Sequence, residues 1–300
     1  MGSPEFAMPA LVALASNYQV VGVVTQPDRP SGRGREITPP PIKILANDLG
    51  LPFIQPEKLH QPESKHQLQE WNPDLIIVAA FGQILRREVL DLPKFGCLNV
   101  HASLLPRWRG AAPIVAAIRE GDTQTGVTIM RMDNGVDTGP VLSQRTEPIH
   151  ADDTGGSLSQ RLAQLGADLL IDTIPISLTG EITPLPQDET QATYAPMLKK
   201  ADGWLDFALP AAKLARQVRA YNPWPGAFFD WRKQIIRVHR ASAVEIEQRT
   251  AQPSGYHLVY QGEPAIQTSQ DILVLEEIQS AGKNPMPGKV FLQGARAWLE

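Results

Sequence analysis

The sequence has one cysteine in 300 residues, Cys97, which excludes an internal disulfide and any cysteine-rich metal site and suits a reducing compartment. Cys97 itself reads as a small core residue. The histidines at 60, 66, 101, 150, 239 and 257 are too scattered for a helical metal motif, so no metal is expected. No Gly-x-Gly-x-x-Gly follows an early strand and no Gly-x-x-x-x-Gly-Lys occurs, which leaves a dinucleotide or ATP role without support. Apolar runs long enough to span a bilayer are missing, and the start MGSPEFAMPALVAL lacks the basic leader of a signal peptide. A cytoplasmic protein is expected, or a stromal one in a source with plastids. A strong charge of one sign is missing as well, since the net charge of −4 does not by itself attract nucleic acid. Its distribution is uneven. Residues 199–300 hold 13 Lys and Arg against 10 Asp and Glu, and residues 1–198 hold 15 against 22, a balance that suits a second domain touching phosphates. A slightly basic domain is equally usual on a solvated surface.

What is present fits two domains. The length is comfortable for two cores, and 42% hydrophobic with 20% charged residues is an ordinary folded composition. Helical periods at 4–16, 42–49 and about 63–70 alternate with apolar strands at 20–25 (VVGVVT), 52–54 and 74–80 (DLIIVAA). Strands apolar on both faces are those of a covered parallel sheet, so the reading is α/β, Rossmann-like and doubly wound. Further strands are expected at 126–132 and 139–144, and an apolar stripe predicts a helix within 155–178. Segment 181–196, EITPLPQDETQATYAP, has neither period and marks a linker. A helix at 209–220 with Lys213, Arg216 and Arg219 on a basic face then precedes short strands at 227–231, 234–239, 255–260, 264–268 and 272–278. These predict a small OB-like antiparallel β-barrel. The expected division is a domain at 1–180, a linker at 181–198 and a second domain at 199–300.

Residues 97–113, CLNVHASLLPRWRGAAP, carry the densest chemistry. A period of two over 97–101 puts Asn99 and His101 on one face of a buried strand, at the carboxyl end where sheets of this kind place ligands. Local hydrogen bonds would also explain two such polar residues. Ser103, Arg107 and Arg109 follow at once, which favours a site. Residues 26–41, QPDRPSGRGREITPPP, set Arg29, Arg33 and Arg35 among prolines and glycines; such a segment is either a solvated loop or a phosphate contact.

The stretch NVHASLLPRWRGAAPI, with MDNGVDTGP at 132–140, resembles the signature of the folate-dependent formyltransferases, and within them those that act on methionyl-tRNA. The resemblance runs over nearly the whole chain. It implies that Asn99, His101 and Asp137 are catalytic and that Ser103, Leu104, Leu105 and Pro106 contact folate. It further implies that the basic loop, Arg29, Arg33 and Arg35, meets tRNA, and that the C-terminal barrel helps hold it. A barrel of that kind also serves as a folding or dimerisation module, and Asp137 also suits a turn. The implied reaction transfers a formyl group from 10-formyltetrahydrofolate, a substrate and not a resident cofactor, to the α-amine of methionine on initiator tRNA, for initiation of translation. A monomer without a membrane partner is expected. In such relatives a buried strand leads into the Gly-x-Pro-x-Phe-Ala turn, and this chain begins inside that turn, at Gly2-Ser3-Pro4-Glu5-Phe6-Ala7. The first strand therefore reads as missing, with an expected start upstream of Met1 and a gap beside 20–25.

Overall fold

The computed structural model describes residues 1–31, Gly34, 36–246 and 252–299. Two compact units divide the chain. The first comprises Met1–Pro113, Gln124–Pro148 and Ser159–Pro196, and the second Ile114–Thr123, Ile149–Leu158 and Met197–Glu300.

In the first unit a 3-10 turn at Glu5–Ala7 leads into α1 (Met8–Asn17) and β1 (Val23–Val24). A hairpin of β2 (Arg29–Ser31) and β3 (Glu36–Thr38) follows, then α2 (Pro41–Asp48), β4 (Phe53–Ile54), α3 (Pro62–Trp71), β5 (Ile76–Val78) and α4 (Arg87–Leu90). Helices α1, α2 and α3 each carry proline in the first turn, where its missing N–H costs nothing. Asn72, left-handed at φ 44°, ends α3. Next come β6 (Cys97–His101), β7 (Arg109–Gly110), α5 (Pro113–Glu120), β8 (Gln124–Arg131), β9 (Val141–Pro148), α6 (Gly155–Leu178) and β10 (Tyr194–Ala195); of these, α5 after Pro113 and the first turn of α6 belong to the second unit.

The Rossmann-like α/β layer is present in two pieces. Strand β1 pairs in parallel with β4, and β5 in parallel with β6. The far edge departs from a purely parallel sheet, because β8 runs antiparallel to β6 and β9 antiparallel to β8. The loop 132–140 between β8 and β9 is too short for the crossover that a parallel pair needs.

Gly2 N donates to Val24 O at 3.0 Å, Ala79 N donates to Met1 O at 2.9 Å, and the Met1 amino group donates to Ile77 O at 2.6 Å. Met1 and Gly2 thus stand between β1 and β5. Beside them opens a cavity of about 350 Å³, lined in part by Val20, Val21, Val23, Trp71, Leu75 and Ile77. Burial of the Met1 amine there lowers its pKa from 8.0 to about 5.

The second unit holds α7 (Ala211–Ala220), β11 (Ala227–Trp231), β12 (Gln234–Val244), β13 (His257–Tyr260), β14 (Glu263–Gln267), β15 (Ile272–Ser280), β16 (Met286–Pro287) and α8 (Gly288–Gly294). Its strands are antiparallel in the order β11-β12-β15-β14-β13, with β16 on β15, and β12 bends at register shifts between Val238 and Ala241. Phe229, Ile236, Leu273, Leu275 and Trp298 form the core with Leu214 and Val218 of α7. The basic face read on this helix is partly spent inside the unit, because Arg216 Nε donates to Arg119 O at 3.1 Å and Arg219 Nη1 to Asp153 O at 2.7 Å. Buried carbonyls need donors, and these two guanidinium groups supply them.

Candidate active site

Strand β6 is paired on both sides and buried at all five positions, so the side chains at its exit have little freedom. Asn99 and His101 face the same way, as the period of two predicts, and Asp137 meets both. Asn99 Nδ2 donates to Asp137 Oδ1 at 3.2 Å, and His101 Nδ1 lies 3.5 Å from Asp137 Oδ2. Asp137 arrives on the loop 132–140 with φ 54°, a left-handed conformation that Asp tolerates better than most residues. Gly110 N donates to its Oδ2 at 2.8 Å.

The other ring nitrogen of His101, Nε2, lies 3.0 Å from Trp108 O, and since a carbonyl only accepts, Nε2 carries the proton. Each nitrogen therefore faces an acceptor. A ring with one proton serves one of the two at a time.

The segment 103–106 is fixed from below. Ser103 is fully buried, and its Oγ donates to Arg107 O at 2.5 Å, closing a turn. The hydroxyl expected to contact folate is thus already engaged. Thr128 Oγ1 donates to Ser103 O at 2.6 Å and accepts from Leu105 N at 3.1 Å, while Gln144 Nε2 donates to Leu105 O at 2.9 Å. Leu105 is buried, and Leu104 and Pro106 are half-buried. Thr128 and Gln144 escaped sequence reading, although Thr128 stands directly across from His101 in the β6–β8 register.

Arg29 lies elsewhere, on the β2–β3 hairpin, exposed and 3.6 Å from Glu57. Arg33 and Arg35 fall outside the described residues.

Residues 181–195, expected as part of a linker, run along the site instead. Leu185 bridges Val141, and Tyr194–Ala195 pairs with Arg109–Gly110. The Arg109 guanidinium is fully buried; it makes a two-pronged pair with Glu189 at 2.7 and 2.8 Å, and its Nε donates to Gln187 Oε1 at 3.0 Å. These hydrogen bonds raise the Arg109 pKa above its ordinary value and hold the Glu189 carboxyl below the usual range. The segment has no period because its side chains turn to distant partners, and only the arginines flanking the signature hinted at them.

A match to the formyl transferase family covers residues 2–174, and that family's C-terminal domain matches residues 197–296. The chain belongs to the formyl transferase family. Relatives named methionyl-tRNA formyltransferase include one from Chloroflexus aggregans, 46% identical over 99% of this chain and 96% of its own, and one from Halorhodospira halophila, 48% identical over 98% and 95%. Among solved structures, the sugar 3N-formyl transferase WlaRD superposes with a TM-score of 0.66 at 18% identity, covering 94% of this chain and 97% of its own. A methionyl-tRNA formyltransferase from Clostridium thermocellum gives 0.52 at 19% identity, covering 75% and 86%. HypX from Aquifex aeolicus, solved with tetrahydrofolic acid, gives 0.56 at 20% identity; the alignment covers 77% of this chain but only 41% of HypX. At these identities the structures speak for a formyl transferase fold. Among the described residues no group of His, Cys, Asp and Glu is arranged to hold a metal, and no helix is long and apolar enough to cross a membrane.

Proposed function

We propose that this formyl transferase moves the formyl group of 10-formyltetrahydrofolate to the α-amine of methionine esterified to initiator tRNA, for initiation of translation. The observation that carries the reading is the Asp137 carboxylate shared by Asn99 and His101 at the exit of β6. Near full-length relatives at 46 and 48% identity, named for that activity, support the choice of acceptor.

The chemistry is acyl transfer to nitrogen. Attack by the neutral amine on the formyl carbon forms a C–N bond and a tetrahedral oxyanion; collapse breaks the bond to N10, which takes up a proton as the amine gives one away. Asn99 has two amide hydrogens, and Asp137 accepts one, so the other remains for the oxyanion. His101 stands beside Asn99 on the same face of β6. Asp137 accepts the amine proton, directly or through a water, and no Ser or Cys nucleophile is required.

In this reading Ser103, Leu104, Leu105 and Pro106 shape the folate side, with Ser103 acting through the turn it closes. Arg29, Arg33 and Arg35 receive the acceptor end of the tRNA. Residues 1–180 form the catalytic domain, 181–198 the connection, and 199–300 an OB-like tRNA-binding domain. The protein works as a cytoplasmic monomer without a metal or a permanently bound cofactor.

A formyltransferase for a small amine shares the same trio, and the WlaRD superposition makes that a fair competitor. A non-catalytic nucleic-acid binder is the rival from another class. One assay separates all three: transfer from 10-formyltetrahydrofolate with methionyl-tRNA and glycinamide ribonucleotide offered side by side. Transfer to methionyl-tRNA is expected. Formylation of the small amine alone, or of neither, refutes the proposal.

A further inference from the structure

We infer that Gln187 is a positioning residue for Asp137, an inference that rests on the function proposed above. Gln187 Nε2 spends both hydrogens on the loop that bears the carboxylate, donating to Asp137 O at 2.8 Å and to Gly139 O at 2.7 Å. Its own Oε1 accepts from Arg109 Nε. Arg109, bound in turn to Glu189, therefore sets the orientation of the amide: with the oxygen held by the guanidinium, the NH₂ can only point at the two carbonyls.

Asp137 is left-handed at φ 54°, a strained conformation that persists where surrounding contacts impose it. The Gln187 bond to its carbonyl is such a contact, made at the residue whose side chain bridges Asn99 and His101. At its far end the loop is confined differently. Gly139 lies so close to Arg131 O that a Cβ there would strike the oxygen. Gln187 thus fixes the backbone from which the Asp137 carboxylate projects, without touching the reacting atoms. Displacement of that backbone by about 1 Å is enough to cost on the order of a hundredfold in rate.

The isosteric substitution Gln187→Glu gives a discriminating test, because it keeps an oxygen for Arg109 but removes both donors and turns an acceptor toward two carbonyls. A residue that merely anchors the segment would lose thermal stability and leave kcat unchanged. In the full chain we expect kcat to fall tenfold or more, KM for folate and for methionyl-tRNA to stay within about twofold, and the melting temperature to stay within a few degrees. Gln187→Met, which has no polar atoms to misdirect, should show a smaller kcat loss with the same KM pattern, and decides the question should the Glu variant not fold. Unchanged kcat, or a loss confined to KM, overturns the inference. Wild-type chain without formyl transfer in the same assay overturns the functional proposal instead, so the two failures are distinguishable.

Discussion

Asp137 Oδ2 sits 3.5 Å from His101 Nδ1 and 2.8 Å from Gly110 N, so one carboxylate oxygen serves the His101 ring and the backbone of β7 together. That relationship separates charge from shape. Asp137→Asn keeps a residue that accepts the left-handed backbone but loses the negative charge facing the ring. Turnover should fall by on the order of 10² or more with little change in melting temperature. An active Asn variant would remove the carboxylate from the mechanism.

His101→Ala should likewise reduce turnover by on the order of 10² or more while the fold is kept, as for a polar group lost beside the oxyanion. Circular dichroism checks the fold and single-turnover kinetics the rate. Near wild-type turnover in the purified variant sinks the assignment.

Arg33→Ala should weaken use of methionyl-tRNA and leave folate binding unchanged, since the segment around it is basic and Gly-rich with no apolar residue to pack on. Titration with folate separates the cases. A loss of folate affinity would show that this loop serves the other substrate.

The buried Met1 amine makes a pH prediction. Its pKa is near 5 when folded and 8.0 in the ordinary state, so below pH 8 the unfolded chain binds a proton that the folded chain refuses. Stability should therefore fall as pH drops from 8 through 5 and gain no further penalty from this group below that. The full effect is on the order of 4 kcal/mol. A short apolar extension before Met1 turns the amine into an amide and so removes the buried titrating group. Urea denaturation of both chains at pH 8, 6.5 and 5 is the measurement. Equal losses in the two would show that the amine is not the cause.

Gly139→Ala should push the loop 132–140 off Arg131 O and lower turnover about tenfold or more, with a reduced melting temperature. Wild-type rates would mean that the loop tolerates the shift.

How much of this was legible depends on the range of the contacts. The alternation over 97–101 put Asn99 and His101 on one face because a strand's period is a local property, and the same holds for the helix at 155–178. Hairpin β2–β3 was hidden among prolines and glycines that read as a plain loop. The antiparallel turn of β8 and β9 depends on a connection length more than on the strands themselves. Least legible was 187–195, where Gln187, Glu189 and Thr193 act on Asp137, Arg109 and Trp108 across long sequence separations and leave no periodic trace. Composition there announces only a lack of helix or strand.

The path of that segment bears on how such proteins can be recombined. Residues 187–195 fall between the two family matches, after 174 and before 197, yet they hold Arg109, Trp108 and the Asp137 loop. A gene fusion that exchanged C-terminal modules at residue 180 would deliver an N-terminal part stripped of the clasp on the Asp137 loop. A crossover after Ala195 keeps the clasp with the site it serves, so the boundary that evolution or an engineer can cut lies later in the chain than the sequence pattern invites.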